Sequence, residues 1–234
     1  MSYDETVVIS VGGSLIVPDE IDHKFLSSLK DLVITKTTHN GCRFILIAGG
    51  GKTARKYQTA ARKVGALDPE DLDWIGLHAT RLNGHLLRTI FRDLAHPVII
   101  TNPDDVLDVP KNEKLIIAAG YRPGASTDLR AVQIAELVGA KKVVNLSNIE
   151  YIYTADPKQD KTAEKIEEIS WTEFRKLIPT EWSPGLNSPF DPIAAKEADK
   201  LNLEVASISG AKLISLKNYL EDKPFTGTLI RNKN

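Results

Sequence analysis

Four short turns in this chain hold residues of the types that bind phosphate: Gly12-Gly13-Ser14, Gly49-Gly50-Gly51-Lys52-Thr53, Gly120-Tyr121-Arg122-Pro123-Gly124-Ala125-Ser126-Thr127, and Ser147-Asn148. Each follows an apolar, β-branched run and is therefore expected at the C-terminal end of a strand. At that edge a turn leads into a helix N-terminus, whose free N–H groups and positive dipole end hold anions. A single such turn needs no explanation beyond a tight bend. Four at one edge describe a place where several phosphates are held together. Lys52 and Arg55 fall in the first turn and a half of the helix that begins at the triple glycine, and both can reach a phosphate there. Lys56, Arg62 and Lys63 of the same helix read as a solvated basic face. Asp128 follows Ser126-Thr127 at a helix start, where it stabilises the dipole or, beside bound phosphates, orients a cation, either a lysine or Mg²⁺.

Other nucleotide motifs fit less well. Gly51-Lys52-Thr53 looks like the end of a Walker A loop, but that loop requires a glycine five positions earlier, where Leu46 stands inside a strand. The pattern Gly49-x-Gly51-x-x-Ala54 fits the dinucleotide fingerprint, with acids following at Asp68 to Asp71, yet it accounts for one turn of the four. Phosphoryl transfer uses them all. The histidines, His78 and His85 among them, show no metal-ligand spacing, and Cys42 reads as a buried apolar residue; no metal ligand is assigned.

The elements that must position these turns follow from hydrophobic periodicity. Strands are expected over 6–11, 43–48, 96–101, 114–119, 142–146 and 204–208, most of them followed by glycine and a helical pattern, the order a mainly parallel sheet requires. Helices are expected over 22–35, from the triple glycine to a stop at Gly65 with Ala54, Tyr57, Ala61 and Val64 on one apolar face, and from an Asp68 cap with Pro69 in the first turn to about residue 94. Trp74, Leu77, Leu82, Leu86, Ile90 and Phe91 spread around that long helix, which is expected to be covered on two sides, by its sheet and by a second subunit. Further helices are expected over 128–138, 172–178 and from Asp191-Pro192 to about 201, the last after a loop over 183–192 dense in breakers, and a helix and strand close the chain.

Composition narrows the class. The 234 residues are 42% apolar and 26% charged, which suits one large globular domain or two small ones sharing an interface and excludes disorder; with no internal repeat or low-complexity linker, one continuous domain in two lobes is the expectation. Lys plus Arg number 30 against 31 for Asp plus Glu, a net charge of −1, so there is no basic surplus to track a nucleic acid. A lone cysteine, an acidic N-terminus and the absence of any apolar run near the ~18 residues of a membrane span point to a cytoplasmic protein with no membrane partner.

The stretches 11–15 (VGGSL), 48–57 (AGGGKTARKY), 74–83 (WIGLHATRLN), 120–128 (GYRPGASTD), 147–157 (SNIEYIYTADP) and 191–196 (DPIAAK) stand in one order and span nearly the whole chain. In these the sequence resembles the amino acid kinase superfamily and, within it, the archaeal-type uridylate (UMP) kinases. The resemblance implies an α/β fold, a three-layer αβα sandwich on a mainly parallel sheet, usually assembled as a homohexamer. It implies transfer of the γ-phosphoryl of ATP to UMP with Mg²⁺, in pyrimidine nucleotide synthesis. Residues 1–140 would form the acceptor lobe and 141–234 the ATP lobe. Gly50, Asp73 and the run Tyr121, Arg122, Pro123, Gly124, Ala125, Ser126 and Thr127 look like UMP contacts, Asp73 being suited to accept from ribose hydroxyls. Gly12, Gly13, Ser14, Gly51 and Arg55 look like contacts to the ATP phosphates, and Ser147, Asn148, Tyr153 and Asp156 like the nucleoside end of the ATP site. Asp128 and Lys52 are the expected catalytic pair.

Departures from the superfamily pattern sharpen these expectations. Many members carry lysine where this chain has Ser10, which leaves charge stabilisation to Mg²⁺, Arg55, Lys52 or Arg122. Tyr151 stands where glycine is usual, and Ala119-Gly120 replaces a glycine pair. Two other readings are compatible with the residues: a kinase of the same fold acting on isopentenyl phosphate or an acidic amino acid, and a non-catalytic binder of nucleotides or oxyanions.

Overall fold

Strand β1 (Glu5–Val11) loses nearly all exposure from Val7 onward and β2 (Cys42–Ala48) is buried along its length, so both faces of the sheet are covered, as unbroken apolar runs require. The computed structural model describes residues 5–39, 41–181 and 188–232. With β3 (Leu115–Ala118), β4 (Lys142–Ser147), β7 (Glu168–Ile169), β8 (Glu204–Ser209) and β9 (Thr228–Ile230), these strands form one sheet in the order β3-β2-β1-β4-β8-β9-β7. Every neighbouring pair is parallel except β8 and β9. A separate antiparallel pair joins β5 (Ile152–Tyr153) to β6 (Lys165–Ile166).

Alternate side chains enter two cores. Val8, Ile45, Ile116, Val143 and Val205 pack under α5 (Thr127–Val138), α6 (Trp171–Leu177) and α7 (Pro192–Lys200), around Trp171, Phe174 and Phe190. Ile9, Leu46, Ile117, Val144 and Ala206 pack under α2 (His23–His39), α4 (Pro69–Ile90) and α8 (Leu213–Tyr219). The result is the expected αβα sandwich. The chain leaves β1 toward β2 and β3 on one side and leaves β4 toward β8 on the other, so the strand order reverses between β1 and β4. That reversal opens a crevice at the strands' C-terminal ends, where α1 (Gly13–Ile16) and α3 (Gly51–Val64) begin.

Several local expectations are corrected. Residues 96–101 form no strand: Ala95 and Ile100 make isolated bridges to β3, and Pro97 between them lacks the N–H a ladder needs. Helix α4 stops at Ile90, and 91–94 form turns. Its Trp74 and Leu82 are exposed. Tyr57 and Val64 of α3 also face out, at 68% and 91% exposure, and only Gly51 and Ala54 of that helix are buried. The apolar spacing there is real but has no sheet beneath it. Asp68 stands at the N-cap without a capping hydrogen bond, and α2 continues four residues past 35. In the breaker-rich loop, 183–187 lie outside the described residues.

Candidate active site

The first two glycine turns are packed against each other, backbone on backbone. Gly49 N donates to Val11 O at 2.9 Å and Lys52 N to Val17 O at 2.9 Å. A Cβ on Gly13 would run into the Gly51 nitrogen, and one on Gly51 would run into the Gly13 carbonyl. Gly51 also holds φ +63°, a left-handed value that favours glycine. Helix α4 fastens the second turn from behind, where Asn83 Nδ2 donates to Gly49 O at 2.7 Å and to Gly50 O at 3.2 Å.

In front of these turns lies a cavity of about 580 Å³. Gly50, Gly51 and Arg55 line one end, Ala125, Ser126 and Thr127 one wall, and Asp73 and Thr80 of α4 another. Arg55 also reaches back to Ser14, with Nη2 3.4 Å from Oγ, and so ties the first turn to the cavity. The loop over 120–127 is clamped by α4. Thr80 Oγ1 accepts from Gly120 N at 2.8 Å, Arg81 donates to the carbonyls of Gly120 and Tyr121 at 3.0 and 2.8 Å, and Asp73 Oδ2 accepts from Gly124 N at 2.7 Å. Asp73 thus spends one carboxylate oxygen on the loop. Arg122, Pro123 and Gly124 line a second cavity, of about 520 Å³, that also touches Asp73. Tyr121 lies between the guanidiniums of Arg122 and Arg130, whose carbons are 5.6 and 5.5 Å from its ring centre.

A polar row crosses the sheet at the same edge: Ser10, Asn145, Ser207 and Thr228 stand in register on adjacent strands and share the face covered by α5 and α7. Ser10 Oγ lies 3.1 Å from Asp128 Oδ1 and 3.3 Å from Thr127 Oγ1. Asp128 Oδ2 accepts from Asp191 N at 3.3 Å, while Asp191 Oδ1 caps α7 through Ile193 N and Ala194 N. Burial pushes the Asp128 carboxyl up to about 6; the charge of Asp191 adds to this, and the hydrogen bonds from Ser10 and from Asp191 N oppose it. Asp191 Oδ2 is buried with no hydrogen-bond partner among the described residues.

Of the residues expected at the site, Gly50, Gly51, Arg55, Asp73, Ala125, Ser126 and Thr127 line the larger cavity. Lys52 does not; its Nζ lies 3.6 Å from Asp19 Oδ1. Ser147 sits beside the first turn, since Gly12 N donates to the carbonyl of Leu146 next to it and its own carbonyl accepts from Gly210 N at 2.7 Å. Asn148 is exposed, Tyr153 lies on β5, and Asp156 accepts from Lys158 N in the turn beyond, so these three stand apart from the cavity. Arg62, expected to be a solvated base, is exposed, and it also lines the cavity together with Gln58. The signal was present, because 55, 58 and 62 share one helical face at i, i+3 and i+7. Thr80 and Arg81 act through contacts 40 residues away in sequence, and nothing local marks them.

The profile of the amino acid kinase family matches residues 5–207. A uridylate kinase of Methanocorpusculum labreanum is 34% identical over 227 residues, 97% of this chain and 95% of that protein. One from Hyperthermus butylicus is 32% identical over 92% of this chain and 93% of its own. The crystal structure of uridylate kinase from Archaeoglobus fulgidus superimposes with a TM-score of 0.81 at 28% identity, covering 96% of this chain and 99% of that one. UMP kinase from Ureaplasma parvum, at 18% identity and a TM-score of 0.78, shares the fold. By its sequence, its sheet and its paired glycine turns, this chain belongs to the amino acid kinase family.

Proposed function

We propose that this protein is a UMP kinase, which transfers the γ-phosphoryl of ATP to UMP and yields UDP and ADP in pyrimidine nucleotide synthesis. The observation that carries this reading is the cavity of about 580 Å³ that opens at the glycine turns and is walled by Asp73, Ser126 and Thr127. Its contents suit a nucleoside monophosphate: backbone N–H groups and Arg55 at one end for the phosphate, and a free carboxylate oxygen of Asp73 for ribose hydroxyls. The names of the archaeal relatives supply uracil as the base.

The chemistry asks the chain to align two phosphates and to spread charge, since a nucleotide phosphate is already anionic at neutral pH and needs no general base. The Gly12-Gly13 and Gly50-Gly51 turns hold donor and acceptor phosphates against each other. Arg55, in reach of Ser14 and of the cavity, stands between the two groups. Lys52 makes only a loose, exposed ion pair with Asp19 and is free to turn its charge toward a bound phosphate. Asp128 and Asp191 fit a hard divalent ion, because Asp191 Oδ2 is buried and unpartnered among the described residues and the Asp128 carboxylate accepts from the Asp191 backbone N–H. These two would hold Mg²⁺ brought with ATP, which supplies neutralisation of the phosphate charge.

Residues 1–140 serve as acceptor lobe and 141–234 as ATP lobe, with Ser147, Asn148, Tyr153 and Asp156 at the nucleoside end of ATP. The protein works in the cytoplasm as a hexamer. Exposed Trp74 and Leu82 on α4 are the support for assembly, and no helix of the described residues is long and apolar enough to cross a membrane. A coupled ADP-release assay with Mg-ATP and UMP, CMP or no acceptor tests the function. Turnover with UMP is expected; ADP release with isopentenyl phosphate or an acidic amino acid in its place would refute it.

A further inference from the structure

Arg130 lies on α5 one turn beyond Thr127. Its side chain is 6% exposed, lines the cavity and meets no carboxylate among the described residues. Nη1 donates to Gln133 Oε1 at 2.7 Å, Nη2 is 3.5 Å from the Arg122 carbonyl, and Nε is buried without a partner. Burial, and then the like charge of Arg122, pulls the guanidinium below its ordinary range. A desolvated cation left without a counter-charge is unfavourable in the empty protein. The imbalance is relieved when an acceptor atom enters the cavity.

We infer that Arg130 determines base specificity, by donating to the carbonyl oxygen at position 4 of the pyrimidine. This inference rests on the UMP kinase reading. The phosphate end of the cavity is marked by Gly50, Gly51 and Arg55, and Asp73 on α4 is the group suited to ribose. Arg130 groups instead with Tyr121 and Arg122 of the loop, and none of its hydrogen bonds or ring contacts among the described residues is to the glycine turns. Uracil presents carbonyl oxygens at positions 2 and 4. Cytosine replaces the second with an amino group, which sets a donor against a donor and leaves a buried group unpaired.

The test compares wild type with Arg130→Met and Arg130→Lys, measuring kcat and KM for UMP and CMP at saturating Mg-ATP and the inhibition constant of ribose 5-phosphate, which has no base. For Arg130→Met the UMP-to-CMP ratio of kcat/KM is expected to fall by about tenfold or more, mainly through KM for UMP. The ribose 5-phosphate constant stays unchanged, and Arg130→Lys falls between. An unchanged ratio overturns the inference, as does a ribose 5-phosphate constant that rises in step with KM, because the guanidinium then holds phosphate. Should Arg130→Met lose its folded circular dichroism, the ratio in Arg130→Lys decides by the same criterion. Wild-type protein inert toward UMP would defeat the function and this inference together, whereas active wild type with an unaltered ratio defeats the inference alone.

Discussion

Replacing Asp128 with asparagine should make the ligand-free protein more stable and the enzyme much slower. The folded state holds the Asp128 proton to about pH 6, while the unfolded chain releases it near 3.8. Between these values the unfolded state binds fewer protons, so stability falls as pH rises. The full shift corresponds to roughly 3 kcal/mol above pH 7, about half of which is already lost at pH 5. Asparagine removes that penalty and keeps one acceptor oxygen, but Ser10 and Asp191 N now compete for it, at a cost of about 1 kcal/mol. The variant is therefore expected to exceed wild type by about 2 kcal/mol at pH 8 and by much less at pH 5. Urea unfolding at the two pH values, followed through the fluorescence of buried Trp171, measures the difference, and contributions from other groups cancel in it. Turnover should fall on the order of a hundredfold, because a carboxylate that would hold Mg²⁺ is lost and with it part of the neutralisation of the phosphate charge. Equal stabilities with the same pH dependence would show that Asp128 carries no burial penalty, and the argument would fail.

Arg55→Ala should lower kcat/KM for UMP at least tenfold, about 1.4 kcal/mol of barrier; full activity would confine Arg55 to its contact with Ser14. Asp73→Asn should raise KM for UMP by about tenfold and leave KM for ATP nearly unchanged, and equal effects on both would remove Asp73 from the acceptor site. Gly13→Ala should destabilise by about 1–3 kcal/mol in urea unfolding, since its Cβ would run into the backbone of Gly49, Gly50 and Gly51, which has no side chain to move aside. Gly65→Ala, where nothing stands within 4 Å, should change stability by less than about 0.5 kcal/mol in the same urea unfolding.

The sandwich and the crevice were legible because their causes are local. Apolar runs closed by glycine specify buried parallel strands, and the turns after β1, β2 and β4 fall at one edge once those strands lie parallel. The strand expected at 96–101 failed through a single proline, and the apolar face of α3 misled because periodicity reports a stripe without saying what covers it. Ser10, Asn145 and Ser207 each interrupt an apolar strand, yet only the register makes them one polar row. The sequence by itself determined the layers and the edge at which the glycine turns gather, since chain spacing and residue type decide these. Only the tertiary structure decided that Asp128 accepts from the Asp191 backbone N–H, that Lys52 pairs loosely with Asp19, and that Arg130 is buried in the cavity wall without a counter-charge. The charge state and reach of a side chain depend on what long-range packing sets beside it, and no spacing along the chain encodes that.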